Sequence, residues 1–285
     1  MQYILYFLIA IGATTVGSLT GMGGGVIIKP LMDVMHHFDV ETIGVLSSIT
    51  VFSMSAVSIG KQMLAKVQIP FQIAIPLSLG SVVGGYIGQW MLSAIVSGVQ
   101  AQGLVTVVQN GLLAVLILCV YLYMKHKANI RGLQLSGVPV SLAAGCFLGI
   151  CSSFLGIGGG PINVALIIYL YSVSTKMATV CSLMTILFAQ ISKLVTVALS
   201  TGFLVYDLSV APVMVVGAIA GGFLGASLSK RFSEAGVERA FNCVQLPGVF
   251  LSTVWLSALT SDPFLVPNPP VCLFLFLFLF LFQHH

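Results

Sequence analysis

Two lysines stand where an apolar chain rarely tolerates charge. Lys29 lies inside GVIIKPLMDVM, and Lys193 lies inside QISKLVTVAL with Gln190 about one turn before it. A cation inside such a run either snorkels to an interface or marks a substrate or ion path. Asp33 follows Lys29 by one helical turn, so the two can pair, and its carboxylate could also carry protons. Just before Lys29 comes the cluster GMGGG, with Gly21, Gly23, Gly24 and Gly25. The cluster recurs 135 residues on (156 against 21) as GIGGG, with Gly156, Gly158, Gly159 and Gly160, followed by Pro161 and Asn163. Glycine permits unusual backbone angles and close approach, and Pro161 suits the first turn of a helix, where a missing N–H costs nothing. The N-terminus of a helix presents bare N–H groups and a partial positive charge, which together cradle an anion. The chemistry these residues point to is reversible binding of a small anion. A tight hairpin turn without a ligand is the competing reading of each cluster.

The same 135-residue offset relates Ser47 to Ser182 and Thr50 to Thr185, on the helix that follows each cluster. Singly, such hydroxyls bond the carbonyl four residues back; as a duplicated pair they join the candidate substrate site. That site comprises Gly21, Gly23, Gly24, Gly25, Lys29, Ser47, Thr50, Gly156, Gly158, Gly159, Gly160, Asn163, Ser182, Thr185 and Lys193. The polar stretch HHFDVE (His36, His37, Asp39, Glu41) reads as a solvated loop. No HExxH, no GxSxG with a base and no pair of intramembrane aspartates is present, so an enzyme is not expected, and no P-loop offers ATP drive. The six cysteines are scattered, with no CxxC pair, so no metal or cofactor is expected.

These residues must be positioned by membrane helices. Charged residues make up 6% of the 285-residue chain and hydrophobic ones 58%, against about 25% charged in soluble domains. A water-facing surface is excluded. The net charge of +4 sits in short loops, which reads as topology and not as a nucleic-acid surface. The stretch MQYILYFLIAIGATTVGSL has no basic n-region and no A-x-A-like cleavage site, so it is expected to be a first membrane helix. Runs long enough to span, roughly 20 residues, lie near 2–20, 40–60, 69–95, 103–124, 138–156, 177–199, 203–228 and 240–260. Two shorter apolar segments, near 23–36 and 160–172, follow the glycine clusters. If these turn back, loops 61–68, 125–137, 173–176 and 229–239 all lie inside. They hold Lys61, Lys66, Lys125, Lys127, Arg131, Lys176, Lys230, Arg231 and Arg239, nine of the eleven basic residues. Each half then has five elements and the second enters upside down. The expected fold is an all-α polytopic membrane protein, an inverted repeat with eight long transmembrane helices and two short helices after Gly-rich hairpins. The divisions are a first repeat (1–124), a cytoplasmic linker (125–137), a second repeat (138–260) and a low-complexity Leu/Phe tail (261–285). GSVVGGYIG at 80–88 and GAIAGGFLG at 217–225 add a further echo, and their small residues read as helix-packing surfaces.

The order helix, GxGGG, short apolar segment with Pro30, and its repeat, resembles the sulfite exporter TauE/SafE family over nearly the whole chain to about residue 245. The second copy has Ala165 where the first has Pro30. The resemblance implies a permease for sulfur-containing anions such as sulfite or organosulfonates. The expected function is secondary transport by alternating access around the two hairpins, in the cell (inner) membrane, with the lipid bilayer and a small anion as partners and protons as a coupling ion. An anion channel, or a membrane subunit assisting a partner, is the alternative.

Overall fold

The computed structural model describes residues 2–35, 37–65, 67, 70–98, 102–155, 157 and 159–245. Regular structure among them is helical throughout: α1 (Gln2–Thr20), α2 (Gly25–Met35), α3 (Val40–Leu64), α4 (Phe71–Gly98), α5 (Gln102–His126), α6 (Val138–Phe154), α7 (Pro161–Tyr171), α8 (Thr175–Ser200) and α9 (Ala211–Arg231). A tenth helix, α10, is described over 234–245. Six of these, α1, α3, α4, α5, α8 and α9, are long and apolar enough to cross a membrane, so the chain is a multi-pass membrane protein. α6 is apolar but shorter, at 17 residues. The span expected at 240–260 falls largely outside the described residues, and the Leu/Phe tail wholly so.

The sequence reading starts a helix near 203; the structure starts it at Ala211. Gly202 takes φ +74, Phe203–Val205 form one 3-10 turn, and Pro212 then sits in the first turn of α9. The two segments after the glycine clusters are helices of 11 residues each. At 1.5 Å per residue each is about 16 Å long, near half of a ~30 Å hydrocarbon core. Asp39 caps α3 by accepting from the Thr42 amide (3.1 Å), and Ser174 caps α8 by accepting from the Met177 amide (3.3 Å).

Two groups of three helices form around the GxxxGGxxG segments. A Cβ on Gly80, Gly84 or Gly88 of α4 would strike the backbone of α6 at Leu142, Cys146 and Ile150 in turn. A Cβ on Gly217, Gly221 or Gly225 of α9 would strike α1 from Phe7 and Ala10, through Ile11 and Thr14, to Thr15 and Ser18. Contacts that climb both helices together make each pair parallel. The fourth glycine of each segment turns to a third helix: Gly85 faces Ala189 and Ser192 of α8, and Gly222 faces Met54 and Ser58 of α3. Hydroxyls hold the same seams. Ser192 donates to Val82 O (2.6 Å) and Ser81 to Thr185 O (3.1 Å), while Ser18 (3.1 Å) and Ser58 (3.3 Å) both donate to Gly222 O. The two groups meet along α3 and α8, which run antiparallel, since Gly44 near the start of α3 lies against Lys193 near the end of α8.

Lipid tails are as apolar as leucine, so close contact and interhelical hydrogen bonds carry this assembly in place of a hydrophobic drive. Gly84→Leu and Gly221→Leu should each lose about 1–3 kcal/mol or more from overpacking, seen as a lower midpoint of thermal unfolding in detergent. Gly60→Leu, where nothing lies within 4 Å, should leave the midpoint unchanged or raise it.

Candidate functional site

In the first glycine turn Gly21, Gly23 and Gly24 take φ +79, +82 and +72, a region side chains rarely enter. Gly24 O then receives the amides of Ile27 and Ile28, each at 3.0 Å, and α2 begins. In the second turn Gly159 and Gly160 take φ +120 and +93, and Pro161 opens α7. Gly156 and Gly158 lie outside the described residues. The two turns touch. A Cβ on Gly25 would collide with the backbone of residue 157, and one on Gly160 would come 3.0 Å from Val26 Cγ2. Glycine at these points therefore does more than reverse the chain: it lets one turn rest on the other.

α8 supports both turns. Its Thr179 donates to Thr20 O (3.2 Å) and its Ser182 to Gly21 O (2.7 Å), while Ile186 fills the space a Gly159 side chain would need. Ser47, which stands where Ser182 does in the first half, is buried with no hydrogen-bond partner. The threonines turn to their own helices: Thr50 donates to Leu46 O (2.7 Å) and Thr185 to Cys181 O (2.9 Å). Asn163, in the first turn of α7, keeps a buried Oδ1 without a partner.

Both lysines are 1% exposed, so neither snorkels. Lys29 Nζ donates to Asp33 Oδ2 at 3.0 Å, an ion pair within α2. Lys193 has no carboxylate at ion-pair distance among the described residues; its Nζ donates to Gly44 O at 3.1 Å, a carbonyl that also receives Ser48 Oγ (2.6 Å). Lys193 lies within electrostatic reach of Lys29 and Glu41. About one turn along α8, Gln190 donates weakly to Ser152 Oγ (3.4 Å) and leaves Oε1 unpartnered. His37, in the loop after α2, meets the Tyr6 hydroxyl through Nδ1 at 2.8 Å.

A family model described as Sulfite exporter TauE/SafE matches residues 6–246. The chain belongs to the sulfite exporter TauE/SafE family. No curated protein and no solved structure matches it. The TauE/SafE match takes in both glycine turns, both buried lysines and each GxxxGGxxG segment. The family is one of membrane transporters, and the six long apolar helices suit that activity.

Sequence reasoning missed three polar side chains in this TauE/SafE protein. Asn110 of α5 donates to Asp33 Oδ2 (3.1 Å), and its neighbour Gln109 donates to Phe154 O (2.6 Å) at the end of α6. The pair stands in the apolar run LVTVVQNGLLAV, and uncharged polar residues inside a span were the available signal. Ser153, buried beside the second turn with an unpartnered hydroxyl, matches Ser18 at the 135-residue offset.

The two equivalent serines should respond differently to truncation. Ser182→Ala strands the buried Gly21 carbonyl and should cost about 1–3 kcal/mol. Ser47→Ala removes a hydroxyl that bonds nothing and should be neutral or mildly stabilising. Thermal unfolding of the two purified variants in one detergent gives the comparison.

Proposed function

We propose that this protein is a secondary transporter of small, sulfur-containing anions such as sulfite or organosulfonates, working by alternating access in the cell (inner) membrane. The observation that carries the reading is Lys193, whose fully buried amine is bonded, among the described residues, to a peptide carbonyl and to no carboxylate. A buried cation without a counter-charge is costly, and a substrate anion repays that cost when it binds. The proposed site lies where α3 and α8 reach the abutting glycine turns. Lys193 supplies charge, the unpartnered groups of Ser47, Asn163 and Gln190 supply hydrogen bonds, and the first turn of α7 supplies bare amides. Gly21, Gly23, Gly24, Gly25, Gly159 and Gly160 shape it; Ser182, Thr50 and Thr185 brace its walls. Gly156 and Gly158, outside the described residues, are kept in the candidate site by their place in the motif.

The two five-helix halves, 1–124 and 138–260, are taken as an inverted repeat joined by the cytoplasmic linker 125–137. Two further crossings, α6 and the span expected at 240–260, join the six long spans to give eight. The packing supports this: exchanging α1 with α6, α3 with α8 and α4 with α9 turns one three-helix group into the other. Each group is then a rigid half that rocks against the other along the α3–α8 seam. The shared glycine site becomes open first to one side and then to the other.

The test is uptake of radiolabelled sulfite into proteoliposomes, with sulfate, thiosulfate and an alkanesulfonate as competitors. Saturable, competed flux is expected; flux that rises linearly with concentration would point to a channel, and none at all would sink the substrate. Lys193→Met should abolish sulfite flux while leaving the unfolding midpoint the same or higher, because replacing a buried charge with an apolar side chain of similar size is often neutral or stabilising by about 1–4 kcal/mol. A variant that keeps its flux would remove Lys193 from the site.

A further inference from the structure

The Lys29–Asp33 pair differs from a pair that only holds helices together. Its members are one turn apart on one helix, so it ties nothing together across a seam. The carboxylate is used unevenly: Oδ2 takes both the Lys29 ammonium (3.0 Å) and the Asn110 amide (3.1 Å), while Oδ1 is buried with no partner among the described residues. Asn110 Oδ1, from α5, is likewise buried and unpartnered. An ionised carboxylate has about four lone-pair sites, and a buried one needs most of them filled. Two orphaned acceptors in one cluster call for a hydrogen that is missing from it.

Of the charged groups on neighbouring elements, Lys193 on α8 lies within electrostatic reach of Lys29, and Glu41 at the start of α3 lies within reach of Lys193; α5 brings the neutral Asn110.

We propose that Asp33 is the proton-binding residue of this transporter and that Lys29 changes partner with its protonation. The proposal rests on the anion-site reading above. With Asp33 ionised, Lys29 is held by it and the pair is neutral. One proton added to the carboxylate breaks no covalent bond and leaves Lys29 with an unbalanced positive charge. A monoanion bound beside Lys29 restores the balance, so proton and anion load together, one for one. Asn110 serves both states. Its NH2 donates to the carboxylate, and with the amide turned over its Oδ1 accepts from the carboxyl O–H. A sodium ion suits the cluster poorly, since it would share the carboxylate with an ammonium already 3.0 Å from Oδ2. Because coupling of binding sites is reciprocal, the anion raises the proton affinity of Asp33 as much as the proton raises affinity for the anion.

The experiment uses radiolabelled sulfite and the full chain in proteoliposomes. Counterflow at equal pH reports the anion site alone, and net accumulation under a pH gradient reports coupling. Sulfite takes up a proton of its own near neutral pH, so coupling is read as wild type against Asp33→Asn. A gradient of one pH unit supports about tenfold accumulation at one proton per anion. Wild type should therefore accumulate about tenfold more than Asp33→Asn, with counterflow retained in both. Equal accumulation, or accumulation in wild type driven by sodium and not by pH, overturns the assignment. Wild type without counterflow overturns the anion site and the coupling with it. If Asp33→Asn is not monodisperse, infrared difference spectra of the wild type with and without sulfite decide. The carbonyl band of a protonated carboxyl should rise with sulfite and survive Glu41→Gln. No band, or a band lost in Glu41→Gln, overturns the proposal.

Discussion

Where Gly84 of α4 meets Cys146 of α6, and Gly221 of α9 meets Thr14 of α1, no Cβ stands between the helices. The rest of the molecule depends on that closeness. In a bilayer the apolar surfaces of helices gain little by leaving lipid for one another, so association rests on dispersion at short range and on hydrogen bonds that backbone proximity allows. Each GxxxGGxxG helix uses three glycines against one neighbour and the fourth against another. Each thereby fixes a trio, α1–α9–α3 and α6–α4–α8. Hydroxyls reach carbonyls across the same seams because the backbones are already near.

The trios leave α2 and α7 as the short elements. Each follows a turn whose glycines take left-handed angles, and the two turns meet with Gly25 and Gly160 at the contact. At 11 residues each, they cannot span a bilayer, so their ends stay within the protein. Non-helical backbone at membrane depth is tolerated when it is buried in protein or lines a cavity. Here α8 supplies the cover, with Thr179 and Ser182 bonding the end of α1 and the first turn. The same helix carries Lys193 and Gln190 two to three turns further on, so support and charge come from one rigid element.

Buried charge is distributed unequally between the halves. Lys29 and Asp33 belong to α2, and nothing equivalent stands on α7, where Val164 and Ile168 occupy the positions 135 residues on. Lys193 belongs to α8, and Ser58 holds the matching place on α3, spent on Met54 O and Gly222 O. Among the described residues, the 135-residue offset that relates the glycine turns therefore does not extend to the buried charges. That asymmetry suits a site in which one half supplies an internally paired cation and the other an unpaired one.

Hydropathy and spacing were enough to read the membrane class, six of the eight expected long helices, the two short ones and the pairing of Lys29 with Asp33. These features depend on local composition or on residues one turn apart, which the chain carries in its own order. The packing role of the GxxxGGxxG glycines was legible for the same reason, since a row of small residues at spacing four leaves one side of a helix bare. Other features needed the fold. Asn110 reaches Asp33 across 77 positions and Lys193 reaches Gly44 across 149. Ser182 bonds Gly21 while its equivalent Ser47 bonds nothing. The start of α9 also moved, because Gly202 and Pro212 outweighed the apolar residues between them. Periodicity says which face of a helix is apolar or small; it does not say which helix that face will meet or at what register. That is decided only when all the seams close together, and it is this closing that puts the two glycine turns in contact.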